Sequence, residues 1–211
     1  MEGSAIARYT VFIIAQCSGL IALFLIIAVL SNCGSIDWSS TINVHAFCMF
    51  FGMVYLQGLA ISAFRVLTFV DRLIVKMLHM AVNSGAMITS VVALIAVFER
   101  SRTFSLHGVI GLITFILFAL QWFIGFFSFL YPKLDDEKRA AVMPYHRVGG
   151  AVIFSLAVVT AVLGISSFNS FSKVLCLLRD VSDQLIAAGV LTLLYGILSV
   201  ILVQTKGFKR R

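Results

Sequence analysis

Charge is scarce in this chain. Asp, Glu, Lys and Arg make up only 12% of its 211 residues, about half the share of roughly 25% usual in soluble domains. Proline is scarcer still, with Pro132 and Pro144 the only two. No Asp or Glu falls inside any long apolar run, and the four cysteines show no Cys-x-x-Cys spacing. Each shortage excludes something. So few charges cannot cover the surface of a water-soluble globule. Without paired cysteines, a zinc site or a dithiol redox motif has no support. The net charge of +7 does not mark a nucleic-acid binder, because the basic residues are dispersed through short loops and the C-terminus. No segment is of low complexity.

What is abundant is apolar surface: 61% of the residues are hydrophobic and the mean hydropathy is +1.06. A hydrocarbon core of roughly 30 Å is crossed by about 20 residues of α-helix, and six runs meet that length. They are Tyr9–Leu30, Asn43–Phe64, Lys76–Phe98, Ser105–Tyr131, Pro144 to about Ser166, and Gln184–Val203. The first is too long for a signal-peptide core and has no clear cleavage site, so it reads as an uncleaved helix. The connections are Ser31–Thr41, with Trp38 suited to the interface, Arg65–Val75, Glu99–Phe104, the highly charged Lys133–Met143, and Ser167–Asp183. Pro132 and Pro144 flank spans, where a helix can stop or start. The expectation is an all-α integral membrane protein of six transmembrane helices, one domain over residues 1–211.

Placing the N-terminus in the cytoplasm puts 12 of the 16 basic residues on that side: Arg8, Arg65, Arg72, Lys76, Lys133, Lys138, Arg139, Arg147, Lys206, Lys209, Arg210 and Arg211. The positive-inside rule then predicts both termini cytoplasmic. The four histidines sort by depth in this topology. His45 and His107 enter spans two and four near the non-cytoplasmic side; His79 and His146 enter spans three and five near the cytoplasmic side. Two levels roughly 20 Å apart result, each with two histidines on different helices. An imidazole within a membrane needs a partner. It hydrogen-bonds another helix, relays protons, or ligates a metal. Two axial imidazoles per iron would suit a haem at each level of a four-helix bundle made by spans two to five. The rival is a six-helix transporter or scaffold without redox chemistry, its histidines a proton relay. Against it stand the lack of intramembrane carboxylates and of Gly/Pro-broken helices.

The motifs around the histidines resemble a known family. Ser105-Leu106-His107-Gly108-Val109-Ile110-Gly111 and the run from Gln121 to Pro132, QWFIGFFSFLYP, are similar to the fourth span of the eukaryotic cytochromes b561. So are Lys76-Met77-Leu78-His79, Pro144-Tyr145-His146-Arg147-Val148-Gly149-Gly150, and His45, Gly52, Gly58 and Arg65 of the second span. The resemblance covers roughly Val11 to Val203. The family's usual Trp-His-Pro is here Val44-His45-Ala46, which keeps the ligand and changes its surroundings.

The resemblance implies two b-type haems, one held by His79 and His146 and the other by His45 and His107. It implies transmembrane electron transfer from cytoplasmic ascorbate to monodehydroascorbate or a ferric chelate. The donor site would use Lys76, Arg65 and one of Lys138 or Arg139, since ascorbate and haem propionates are anions at neutral pH. Arg102, Phe104 and Ser105 would lie on the acceptor side. Phe104 and Tyr145 adjoin histidines and serve either as haem or substrate contacts or as core. Asn83 and Gln121, polar and within spans, are expected as interhelical hydrogen-bond partners, and the glycines as points of close approach. Cys33 and Cys176 face the same, non-cytoplasmic side and could form a disulfide if it is oxidising. The expected membrane is the plasma membrane or that of an endosomal, lysosomal or secretory compartment, and a homodimer is compatible with the sequence.

Overall fold

The computed structural model describes residues 2–32, 40–98, 105–175 and 180–205. Among them every regular element is helical, and six helices are long and apolar enough to cross a membrane. They are α1 (Glu2–Asn32), α2 (Thr41–Val66), α3 (Arg72–Phe98), α4 (Leu106–Phe129), α5 (Asp136–Leu175) and α6 (Ser182–Gln204). The six expected spans are therefore all present, in an integral multi-pass arrangement. Cys33, Trp38, Arg102, Phe104 and Cys176 lie outside the described residues.

Two boundaries differ from expectation. Lys133–Met143, read as a loop, is helical from Asp136, so Pro144 stands inside α5 and not at its start. Short-range chemistry explains this. The Asp135 carboxylate accepts from the Lys138 backbone N–H at 2.9 Å, satisfying one of the donors a helix start leaves orphaned. Asp136 and Glu137 occupy the first turn, where the helix dipole favours negative charge. Pro144 deletes one bond, to the carbonyl of residue 140, and Ala140 is exposed where water can replace it. Likewise α3 starts one turn earlier than expected, because Asp71 accepts from the Leu73 N–H at 2.7 Å. At the other end α5 runs on to Leu175 through residues expected as loop.

Helix α2 holds a π-helical segment, Phe50–Leu56, between α-helical Thr41–Met49 and Gln57–Val66. A π-turn accommodates an extra residue and rotates the helix beyond it. The segment is where the two larger cores of the molecule meet. One core joins α1, α2, α5 and α6 through Ala15, Ala22, Ile26, Val54, Phe154 and Tyr195. The other joins α2 to α5 through Met53, Ala86, Phe118, Ile153 and Ala157. Helix α1 packs chiefly along α6, α3 along α2, and α4 along α5. At the end where Arg8 and Val203 lie, Tyr9 donates to the Val66 carbonyl at 3.3 Å and Arg65 donates to the Val203 carbonyl, tying α1, α2 and α6 together. That end is called the basic face below.

Tyr195, fully buried, fastens the first core to the π-segment. Its hydroxyl donates to the Tyr55 carbonyl at 2.8 Å, and its ring stacks on Tyr55 at 6.0 Å. The hydroxyl occupies the space that a Cβ on Gly58 would need. Two variants are thereby coupled. Tyr195→Phe loses a hydrogen bond and is expected to cost about 0.5–1.5 kcal/mol. Gly58→Ala overpacks the same spot and is expected to cost about 1–3 kcal/mol. The double variant should be less damaging than the sum of the two, because removing the hydroxyl makes the room the methyl requires. Thermal unfolding of the three variants in detergent, compared with the unsubstituted chain, measures this.

Candidate functional site: two histidine pairs at two depths

Ser105 starts the construction. It accepts from the Gly108 N–H at 3.1 Å and so caps α4, which sets His107 in the first turn. His45 lies one turn into α2, His79 two turns into α3, and His146 just past Pro144 in α5. The helices bring these four together as two pairs. The ring centroids of His45 and His107 are 6.0 Å apart, those of His79 and His146 6.4 Å, with interplanar angles of 86° and 68°. All four side chains are half-buried.

Each ring is oriented through Nδ1. Backbone carbonyls accept from three of them: Ala93 from His45 at 3.1 Å, Ala60 from His79 at 2.8 Å, and Thr160 from His107 at 2.9 Å. A proton fixed on Nδ1 leaves Nε2 unprotonated, the state of a metal-ligating imidazole; at His79 that nitrogen lies 3.3 Å from the Asn83 side-chain amide. His146 is different, for its Nδ1 lies 3.1 Å from the Gln121 side-chain amide. The partners follow a register. The offset along the helix from His79 to Ala93 is the same as from His146 to Thr160 and from His107 to Gln121 (93 − 79 = 160 − 146 = 121 − 107). The offset from His45 to Ala60 is greater by one (60 − 45), and the difference is the extra residue that the π-segment accommodates. Fourteen residues of helix rise about 21 Å, the separation of the two levels.

Close approach is built in as well. A Cβ on Gly164 would stand 2.8 Å from His107 Cε1, and one on Gly125 would stand 2.9 Å from His146 Cε1. The two helices of the α4–α5 hairpin thus each carry a histidine and, at one shared offset further on (125 − 107 = 164 − 146), a glycine that admits the other's imidazole. Phe64 and Phe129 cover the basic-face pair, with ring centroids 5.4 Å from His79 and 5.2 Å from His146. Asn83 donates to the His79 carbonyl at 2.8 Å, within its own helix, so the expected interhelical bond is not its role. Gln121 does bridge two helices.

The pairs fit a haem iron. A metal–imidazole bond is about 2.0–2.1 Å and the nitrogen lies about 1.1 Å from the ring centre, so two imidazoles on opposite sides of one ion have centroids about 6.3 Å apart. The observed 6.0 and 6.4 Å bracket that value. Among the described residues no group of three or more His, Cys, Asp or Glu could hold a metal ion. Each level thus presents two imidazoles, and a macrocycle is the kind of group that would bring the other four ligands.

Comparison with known proteins agrees with this geometry. Residues 44–172 match the family model described as eukaryotic cytochrome b561. The chain belongs to the eukaryotic cytochrome b561 family. It is 39% identical over 140 residues to the transmembrane ascorbate-dependent reductase CYB561 of Bos taurus, a match covering 63% of this chain and 56% of that one. It is 36% identical over 147 residues to the human protein of the same name, covering 66% and 59%. It is 30% identical over 229 residues to the plasma membrane ascorbate-dependent reductase CYBRD1 of Xenopus tropicalis, covering 100% and 79%. The chain thus spans little more than half the length of the CYB561 relatives it matches. A b-type haem is the cofactor such a cytochrome implies.

The residues expected around the cytochrome's substrates are distributed unevenly. Lys76, half-buried, donates from Nζ to the Phe129 carbonyl at 3.3 Å, beside the ring that covers His146. Arg65 is buried, its guanidinium on the Val203 carbonyl. Lys138 pairs with Asp135 at 2.7 Å and Arg139 with Asp136. Lys138 holds the exposed Asp135 carboxyl below its ordinary range, so that pair persists at neutral pH and is lost only on acidification through that lowered value. Ser105 is exposed, as a cap on the opposite face. Tyr145 is 79% exposed and turned outward.

The glycines supply a test of the two-level geometry. Gly164→Ala is expected to disturb the His45–His107 level alone, and Gly125→Ala the His79–His146 level alone. If each pair holds a haem, the reduced-minus-oxidised absorption spectrum of each purified variant should lose or shift one component and keep the other. Loss of the same component in both would contradict the pairing.

Proposed function

We propose that this chain carries electrons across a membrane from ascorbate on the cytoplasmic side to monodehydroascorbate or a ferric chelate on the other, through two haems b. His79 and His146 would hold one, and His45 and His107 the other. The observation that carries this reading is the occurrence of two imidazole pairs, each at the separation one iron requires, about 21 Å apart in depth. When bound, each haem supplies a one-electron carrier in the low-dielectric core. The chain's residues do the rest. Backbone carbonyls at His45, His79 and His107 hold the proton on Nδ1, which leaves Nε2 as the nitrogen able to ligate. The layer of Met53, Ala86, Phe118, Ile153 and Ala157 fills the space between the levels and excludes water.

The basic face would be cytoplasmic by the excess of Lys and Arg there. Lys76 is the residue we assign to the donor site. It precedes His79 by three residues on one helix face, and its aliphatic stem can cover the site while the ammonium reaches the headgroup region. Arg65 would add positive potential from within. Lys138 and Arg139, each already paired with an aspartate, would contribute less. The relatives named as ascorbate-dependent reductases support the choice of donor.

A pyridine haemochrome assay is expected to give two haems b per chain; one or none would refute the reading. In proteoliposomes at fixed ionic strength, Lys76→Ala should raise the ascorbate concentration for half-reduction by about 10- to 100-fold, since a hydrogen bond to a charged group is worth about 1.5–3 kcal/mol. Both haems should stay bound. Lys76→Arg should recover part of the loss. An unchanged titration in Lys76→Ala would move the donor site elsewhere.

A further inference from the structure

The seam between α5 and α6 opens on the outside of the bundle as a groove of about 330 Å³. Val148, Val152, Ser155 and Val159 of α5 form one wall, and Val200 and Gln204 of α6 belong to the other. Val148, Val152 and Val159 are 59%, 52% and 45% exposed. Between residues 148 and 159 a helix rises about 16 Å, so the groove is long and narrow. A volume of about 330 Å³ over about 16 Å gives a mean section of about 20 Å². One hydrocarbon chain fills such a section. A helix about 10–12 Å across needs several times as much, so a second copy cannot seat a helix in it.

The groove ends toward the basic face, at Val148 and Gln204, and there the charge is positive. Arg147 is exposed and stands four residues before Ala151 and eight before Ser155, on one ridge of α5. Its charge acts on Arg65, whose guanidinium lies on the Val203 carbonyl, next to Gln204. Two guanidinium groups thus meet at one seam. Among the described residues neither has a carboxylate partner, for the ion pairs of this region are Lys138–Asp135 and Arg139–Asp136. Like charges so placed repel, and an anion beside them is attracted by both. Tyr145, 79% exposed, shares the ridge of Val148 and Val152 and brings an amphipathic ring to the same depth.

We propose that the α5–α6 groove binds one anionic phospholipid, its acyl chain lying along α5 and its phosphate at Arg147. Three features select this ligand. The section admits a chain and excludes a helix. The walls are apolar over hydrocarbon depth and the charge is confined to one end, as in a phospholipid. The charge is positive, which disfavours a metal cation and suits a phosphate; basic pockets at the ends of membrane helices take headgroups in this way. A free anion would make no use of the apolar length. The proposal does not depend on what the histidines hold.

The test is native mass spectrometry of the purified holoprotein, delipidated in mild detergent and titrated with dioleoylphosphatidylglycerol or dioleoylphosphatidylcholine. The two lipids share their chains and differ in headgroup charge. One phosphatidylglycerol per chain should bind about fivefold more tightly than phosphatidylcholine, equivalent to the roughly 1 kcal/mol of one basic residue at an anionic headgroup. Arg147→Gln should abolish the preference. Arg72→Gln, which removes an exposed charge on α3 away from the seam, should keep it. Ser155→Phe fills the groove from an exposed position and should weaken both lipids; if that variant does not yield folded holoprotein, Val152→Phe makes the same change one turn away. Inorganic phosphate alone should not displace the lipid. Equal binding of the two lipids overturns the proposal. So does a preference that survives Arg147→Gln, undiminished binding in the groove-filling variant, displacement by phosphate, or a dimer of chains that excludes lipid. Loss of haem with lipid binding retained would bear on the haem reading alone.

Discussion

An N–H group in hydrocarbon must be given an acceptor, and in this protein that demand falls on imidazole Nδ1. Water cannot serve there, and leaving such a group unpaired costs several kcal/mol. The available acceptors are the carbonyls of neighbouring helices, which are already engaged in their own ladders and can be shared only where the helix surface is bare. Ala60 and Ala93 carry no more than a methyl, and Gly125 and Gly164 clear the space beside the other two rings. Small residues at these depths are therefore consequences of the histidines. So is the shared register, which makes each helix of a hairpin supply an imidazole at one depth and a resting place for an imidazole at the other.

The π-segment of α2 belongs to the same constraint. His45 near one end and Ala60 near the other must both face the interior. The facing helix α3 covers the same depth with one residue fewer (93 − 79 against 60 − 45). One surplus residue in a continuous α-helix would turn Ala60 by about 100° relative to His45. The π-turns take up that surplus, and Tyr195, reaching from α6, donates to a carbonyl within them.

How far the sequence could be read depended on range. Six spans, their order and the two depths of histidine follow from hydropathy and from counting. The level separation of about 20 Å anticipated by counting agrees with the rise of the register that the histidines and their partners share. The α5 start was obscured by Pro144, whose usual meaning as a boundary outweighed the Asp135 cap and the Asp136–Arg139 and Asp135–Lys138 spacings that were also legible. Arg65 was legible as a basic residue at a span end, but its bond to Val203 joins residues 138 apart in the chain and no local pattern carries it. Nothing in Phe50–Leu56 marks a π-helix, because the cause lies in the facing helix. Gln121 stood out as an amide within a span; that it meets His146 depends on helix rotation, which depth arithmetic does not supply.

The register also fixes how the protein responds to an electric field. The levels are about 21 Å apart in a hydrocarbon core about 30 Å thick, so a unit charge passing from one to the other traverses about two thirds of any transmembrane voltage. At about 2.3 kcal/mol per charge per 100 mV, that is about 1.5 kcal/mol for each 100 mV. Whatever passes between these histidines, its direction is biased about tenfold by a modest membrane potential, and the bias is set by the spacing alone.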